Sequence, residues 1–352
     1  MSRSTIRQIA RWRQIKPELS RRLDVLRPFD PWSSPMCSCP PKLSLDVYCG
    51  CGYECVYCYV SAYNRRCWGR EKVRPKKDLL RRLERDLRRI AERDDLWILQ
   101  ELPVALSNSS DPYPAAPHAD EEELELTRRA LALLADHVFP VLVTTKSPLV
   151  VRDIDLLARM RCVIAITITT IDEDLASRLE PYAPLPSQRL SALSQLSAHL
   201  PTICRVDPLI PYINAEEEGI VALLDALAEA GVRRVICSTY KHKPDNFRRL
   251  SAVFPKQAAE LAELLNRSQR ISGYYYLRRE VREQLLANVR EMAHERGISV
   301  TVCREGIPWL SDGTCDGRDL AGLSVGESDR PEPNPYPTDA CSVGKAKEVD
   351  CR

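Results

Sequence analysis

Histidine is scarce in this chain: there are five, at 118, 137, 199, 242 and 294, and none lies near its densest group of cysteines. Structural zinc modules usually pair two C-x2-C knuckles, or set histidines about a dozen residues after one. Neither arrangement surrounds this group. No run approaches the roughly 18 apolar residues that a membrane span needs, so no membrane association is expected. The opening stretch MSRSTIRQIARWRQIK is broken by arginines and has no apolar segment. No secretory signal is therefore expected, and the protein reads as cytoplasmic. With a net charge of only +2, there is no chain-wide field to gather a polyanion.

Cysteine, by contrast, is plentiful. Fourteen cysteines without an export signal point to a reducing compartment, where thiols serve as metal ligands or core residues more often than as bridges; intracellular proteins of hyperthermophiles are the exception. Three of them, in Cys51-Gly-Tyr-Glu-Cys55-Val-Tyr57-Cys58-Tyr59, stand at x3 and x2 spacing. Thiols so placed can grip three corners of an iron-sulfur cube and leave the last iron without a protein ligand. An iron enclosed by protein only passes electrons, whereas an open one can bind an amine and a carboxylate and deliver the electron into that molecule. Cys49 is an alternative first ligand, at the cost of that spacing.

Hydrophobic residues make up 44% and charged residues 28% of the 352 residues, which suits one large α/β domain with appendages or two of ordinary size. Basic residues are unevenly spread, with eight Lys/Arg against three Asp/Glu in residues 1–30 and eleven against five in 70–93. Such segments can be phosphate-facing patches or simply solvated faces.

Residues 1–42 read as a basic N-terminal arm and linker: a short helix, then the Pro-rich stretch that carries Cys37 and Cys39. From Leu43, strand-like sequence (LSLDVY, PVALSN, PVLVTTK, CVIAITIT, TICRVDPLI, VRRVICS) alternates with helical sequence. Such alternation predicts parallel strands joined by right-handed crossovers. Six units and at most one more strand, ISVTVC, fall short of a closed eight-fold barrel. The expected fold is α/β, a partial (β/α)6 TIM-type barrel over 43–240. A C-terminal helical extension over 241–322 and a poorly ordered Pro-rich tail over 323–352 follow it. The cysteine loop, the Ser109-Ser110-Asp111 loop and Lys146 all lie at C-terminal strand ends, so they should converge on one mouth.

The cysteine spacing resembles that of the radical S-adenosylmethionine (SAM) superfamily, in which an aromatic, here Tyr57, precedes the third cysteine. Five segments, in this order, resemble the spore photoproduct lyase-like family within it: CGYECVYCYV, Ser110-Asp111-Pro112-Tyr113, Thr144-Thr145-Lys146-Ser147, TTIDEDLASRLEPYAPLPSQRL and Arg205-Val-Asp-Pro-Leu-Ile-Pro211. The resemblance covers 43–240, and more loosely the region to Leu320. It implies a 4Fe-4S cluster on Cys51, Cys55 and Cys58, and reductive cleavage of SAM into methionine and a 5′-deoxyadenosyl radical. It further implies a lyase-like reaction on a nucleic acid base, as in DNA repair, and an electron donor such as ferredoxin or flavodoxin. Ser110 and Asp111 would lie along the methionine moiety, Lys146 would pair with its carboxylate, and Thr167 would add a polar contact. Tyr57 would offer its backbone to the adenine, and Tyr59 matches a tyrosine used in radical transfer. On their own, Asp111-Pro-Tyr makes a reasonable turn, and a lysine at a strand end is usually solvated.

One departure bears on the reaction. The lyase carries a hydrogen-donating cysteine two residues before its Ser-Asp pair, and here that position is Asn108, which has no weak X–H bond to give. A phenolic hydrogen could complete a different relay, or the substrate could be left oxidised. Cys303 and Cys315, glycine-flanked in loop sequence, differ from Cys162, Cys204 and Cys237 inside apolar strands. With Cys341, Cys351, Cys37 or Cys39 they could hold an auxiliary cluster or zinc; one could donate hydrogen, or both could be ordinary thiols. Rival functions are radical modification of a protein, peptide or metabolite, and a non-catalytic metal-containing nucleic-acid-binding protein.

Overall fold

A computed structural model describes residues 3–29, 34–37, 39–92 and 102–323. Its frame is an eight-stranded sheet whose strands follow one another in chain order: β1 (Arg27–Phe29), β2 (Lys42–Leu45), β3 (Val104–Leu106), β4 (Val141–Thr145), β5 (Cys162–Thr167), β6 (Thr202–Leu209), β7 (Arg234–Thr239) and β8 (Ser299–Val302). β1 is antiparallel to β2, and every later neighbour pair is parallel. Each parallel strand lies beside its predecessor, as in a barrel, but the two end strands do not pair and the barrel stays open.

The parallel strands are largely buried on both faces, which their continuous apolar runs require; all six residues of CVIAIT in β5 are buried. Outward side chains join the main core under the crossover helices. Inward ones, among them Ala105, Leu142, Val163, Ala165, Ile203 and Ile236, form a second cluster on the lumen side. The segment around residues 314–323 tucks into that lumen. Gly317 permits it: φ is +70°, and a Cβ there would lie 2.5 Å from Ile203 Cδ1.

Residues 1–42 are more than an arm. They hold the helix Arg3–Arg22 and edge strand β1, and Trp12, Leu19 and Leu23 enter the main core. The helix Leu79–Ala91 fastens them: it buries Leu79, Leu83, Leu87 and Ile90, and also Asp86. Asp86 Oδ2 accepts the backbone N–H groups of Asp24, Val25 and Leu26 at 2.8, 2.7 and 3.1 Å. Asp86→Ala strands buried donors and is expected to cost about 2–4 kcal/mol, measured by denaturant unfolding of the whole chain. A loss under about 0.5 kcal/mol would show that water replaces the carboxylate.

The basic stretch over 70–93 is partly neutralised in place. Arg82 and Arg85 both pair with Asp24, Arg88 with Glu84 and Arg81 with Asp78. Residues 241–322, expected as a helical extension, also supply β8 and an antiparallel hairpin, Gln269–Ile271 with Tyr274–Tyr276. Its turn, Ser272-Gly273, has φ of 49° and 80°; only Gly signals such a turn plainly in sequence. The helix expected over 121–136 is broken at Glu125, where φ is 47°. Beyond Leu323, the tail lies outside the described residues. Among the described residues no helix is long and apolar enough to cross a membrane.

Candidate active site

The cysteine loop leaves the short strand Tyr48–Cys49, which pairs with Arg74–Pro75. Cys49 forms a disulfide with Cys67. This pairing departs from the expectation of unbridged thiols, and it removes Cys49 as a rival first ligand. Gly50, at φ +90°, lets the two segments close, since a Cβ there would lie 2.1 Å from the Cys67 carbonyl oxygen. Further along, the Cys58 N–H donates to the Cys55 carbonyl at 3.0 Å, turning the loop back on itself. The helix Pro244–Val253 grips the loop's far side: Asn246 Nδ2 donates to the Tyr57 carbonyl at 2.8 Å and Arg249 Nη2 to the Cys58 carbonyl at 2.6 Å.

Cys51, Cys55 and Cys58 face a cavity of about 150 Å³ that is also bordered by Tyr57, Ser110, Asp111, Lys146 and Thr167. The structure thus gathers residues from a loop and three strand ends around one space. Tyr59 is set apart: it borders the larger lumen cavity, about 380 Å³, which shares Cys58, Ser110, Lys146 and Thr167 with the first. Its ring meets Tyr274 edge-on at 5.1 Å, with the Arg304 guanidinium 5.9 Å from its centre. Burial pushes its hydroxyl up to about 12, against the pull of Arg304.

Asp111 is committed to structure. Its carboxylate accepts the Tyr113 N–H at 2.9 Å, the Thr145 hydroxyl at 2.7 Å and the Lys146 N–H at 2.9 Å, so it clamps the end of β4. Burial nonetheless raises its pKa above the ordinary carboxylate value. Lys146 Nζ lies 3.7 Å from Glu180 Oε1 rather than in solvent. Burial is the largest single influence and opposes its charge, but Glu180 together with Cys55 and Cys51 lifts its pKa. Asn108 donates to Ser44 Oγ at 2.6 Å and borders both cavities.

Glu180 and Arg189 are site residues to which sequence reasoning gave no role. Glu180 accepts from the Tyr57 hydroxyl and pairs with Arg189 Nη1 at 2.6 Å, while Arg189 also donates to the Thr167 carbonyl at 3.0 Å. Burial works against the Glu180 carboxylate, yet Lys146 and Arg189 hold its pKa below the usual value. Both residues fall within TTIDEDLASRLEPYAPLPSQRL, where an arginine on the buried face of a helix was the available signal.

The donor set suits an open-cornered cluster. Three free thiols face the cavity, and the further cysteine at its wall, Cys67, is disulfide-bonded. Ser110 Oγ, at the same wall, is buried without a hydrogen-bond partner, as expected of a group waiting for a polar ligand. Burial raises the pKa of all three thiols, that of Cys55 to about 12, so thiolates here depend on a metal's positive charge.

The Radical SAM superfamily profile matches residues 45–224, about half of the chain. The chain belongs to the radical SAM superfamily. Members of this superfamily use a 4Fe-4S cluster and SAM, and the open barrel is the fold that carries them. Among solved structures, a cysteine-to-serine mutant of spore photoproduct lyase superposes with a TM-score of 0.58 at 17% identity, covering 73% of this chain and 75% of that one. A cysteine-to-alanine mutant gives 0.58 at 17%, covering 83% and 84%. At that identity the likeness is one of radical SAM fold. An uncharacterized protein of Methanocaldococcus jannaschii is 27% identical over 176 residues, 48% of this chain and 61% of that protein. One from Acidianus two-tailed virus is 27% identical over 210 residues, 54% and 65% respectively. The match therefore spans less than two thirds of either relative.

Proposed function

We propose that this radical SAM protein is an enzyme that cleaves SAM reductively at a cluster on Cys51, Cys55 and Cys58 and acts on a nucleic acid base. The observation that carries the reading is the convergence of three free thiols on a cavity that opens into the barrel lumen beside Tyr59. When bound, the cluster and SAM supply a 5′-deoxyadenosyl radical able to abstract a hydrogen atom. The chain's part is to shape and position. Asp111 holds the end of β4 so that Lys146 faces the cavity, Ser110 offers a free hydroxyl, and Thr167 lines the passage to the lumen. Lys146 is the cation for the SAM carboxylate, poised by Glu180 until SAM arrives.

The base as substrate draws on the rim. Arg304 stacks over Tyr274 at 4.8 Å, Lys243 over the same ring at 4.3 Å and Arg270 over Tyr275 at 5.8 Å. Aromatic faces with cations between them are what single-stranded nucleic acid needs for base stacking and phosphate contact. A solved spore photoproduct lyase mutant carries a dinucleoside spore photoproduct. Tyr59 is the relay residue, standing where Asn108 offers no hydrogen atom.

The test is anaerobic reconstitution with iron and sulfide, then dithionite and SAM, with chromatography for 5′-deoxyadenosine. Formation of that product establishes radical chemistry; none from a loaded protein would favour a binding protein. Affinity for an oligonucleotide should fall with salt, with a log-log slope of several units that drops by about one in Arg304→Ala. A flat profile would shift the substrate to a peptide or metabolite.

A further inference from the structure

Four cysteines outside the SAM site meet at the floor of the lumen. Cys37 and Cys39 precede β2, Cys303 follows β8, and Cys315 sits two residues before Gly317. The Cys39 thiol donates to Asp316 Oδ2 at 3.6 Å. Cys37, Cys39 and Cys315 make a buried cluster of their own, and all four thiol residues border the lumen cavity. Cys162, Cys204 and Cys237 lie one to a strand in β5, β6 and β7, as ordinary core thiols do. These four instead arrive from three separate segments at a polar wall.

Next to Cys39 and Cys315 that wall has more cations than carboxylates. Asp316 pairs with Lys42 Nζ at 2.8 Å and with Arg318 Nη2 at 2.9 Å, so two cations share one carboxylate. Arg205, which borders the same cavity as Cys303, is paired with Asp207. Arg318 is wholly buried, and its Nη1 has no hydrogen-bond partner. A guanidinium N–H left unpaired in a protein interior is costly, and thiolate or cluster sulfur beside it would supply the missing acceptor.

No group of three or more His, Cys, Asp or Glu among the described residues is set to hold a single metal ion, which weighs against zinc. The same is true of Cys51, Cys55 and Cys58, because a cluster spreads its ligands over several irons. We propose that Cys37, Cys39, Cys303 and Cys315 hold a second centre, a four-thiolate iron-sulfur cluster, at the floor of the lumen. The proposal does not depend on the reaction or substrate assigned above.

The experiment uses the whole chain with Cys51, Cys55 and Cys58 all changed to alanine, reconstituted anaerobically with iron and sulfide. It should keep roughly half of the wild-type iron and sulfide, with absorbance near 400 nm. Adding Cys315→Ser should remove the remainder, and Cys303→Ser is the companion should that chain not fold. In the loaded triple variant the four thiols should resist alkylation and become reactive after chelation. An iron-free triple variant, iron unchanged by both serine substitutions, a Cys303–Cys315 disulfide, or stoichiometric zinc in place of iron would each overturn the proposal.

Discussion

Cys55→Ala is expected to abolish 5′-deoxyadenosine formation while leaving the fold in place. Cys55 is the middle ligand, buried at 7% exposure and enclosed by the turn from Cys55 to Cys58. With it gone, Cys51 and Cys58 cannot hold a cube, and the thiol has no substitute because Cys49 and Cys67 are bonded to each other. Activity should drop to background, and total iron should fall by about half if the lumen floor keeps its own cluster. Secondary structure should be unchanged, since the loop's backbone is held by Asn246 and Arg249 rather than by the thiol. Undiminished 5′-deoxyadenosine would remove Cys55 from the ligand set. A collapse of secondary structure would show that the site is needed for folding.

The second large effect belongs to Glu180. Its carboxylate is fully enclosed between Arg189, Lys146 and the Tyr57 hydroxyl. Glu180→Ala leaves a buried guanidinium and an ammonium without their counter-charge, a change that typically costs about 3–5 kcal/mol. Glu180→Gln preserves the shape and an acceptor for Tyr57 but not the charge, and should fall between. The pH dependence has a definite sign. Because the folded pKa is lowered, the ionised carboxylate stabilises the protein above the unfolded value, and that contribution disappears as pH falls through the folded value. The stability gap between wild type and Glu180→Gln should therefore narrow on acidification. A gap that widens in acid, or a loss below about 1 kcal/mol for alanine, would mean that water reaches the pair.

Most of the frame could be read from sequence. The six strand segments and the clustering of polar residues at their C-terminal ends follow from apolar runs separated by helices, a pattern that local sequence carries directly. The x3, x2 spacing of Cys51, Cys55 and Cys58 is equally local. What escaped is what depends on distant partners. Glu180 and Arg189 gain meaning only when a helix after β5 returns under the cysteine loop. The Pro-rich stretch with Cys37 and Cys39 looked like linker because its neighbours, Arg318 and Cys315, lie near the other end of the chain. Asp111 and Lys146 were noticed for their strand-end placement, but the hydrogen bonds that tie Asp111 to β4 and the ion pair of Lys146 with Glu180 could not be inferred from it.

The free ends of the sheet have a consequence for the order in which the protein is made. Cys51, Cys55, Cys58, Asp111 and Lys146 all emerge before β5, within sequence that pairs strand to adjacent strand. β8, Arg318 and Cys315 come some 150 residues later, after the longest connection in the sheet, and join Cys37 and Cys39 at the floor of the lumen. A growing chain can thus assemble its upper site while the space beneath it is still open to solvent. That floor is complete only when the last described stretch of the chain meets the first.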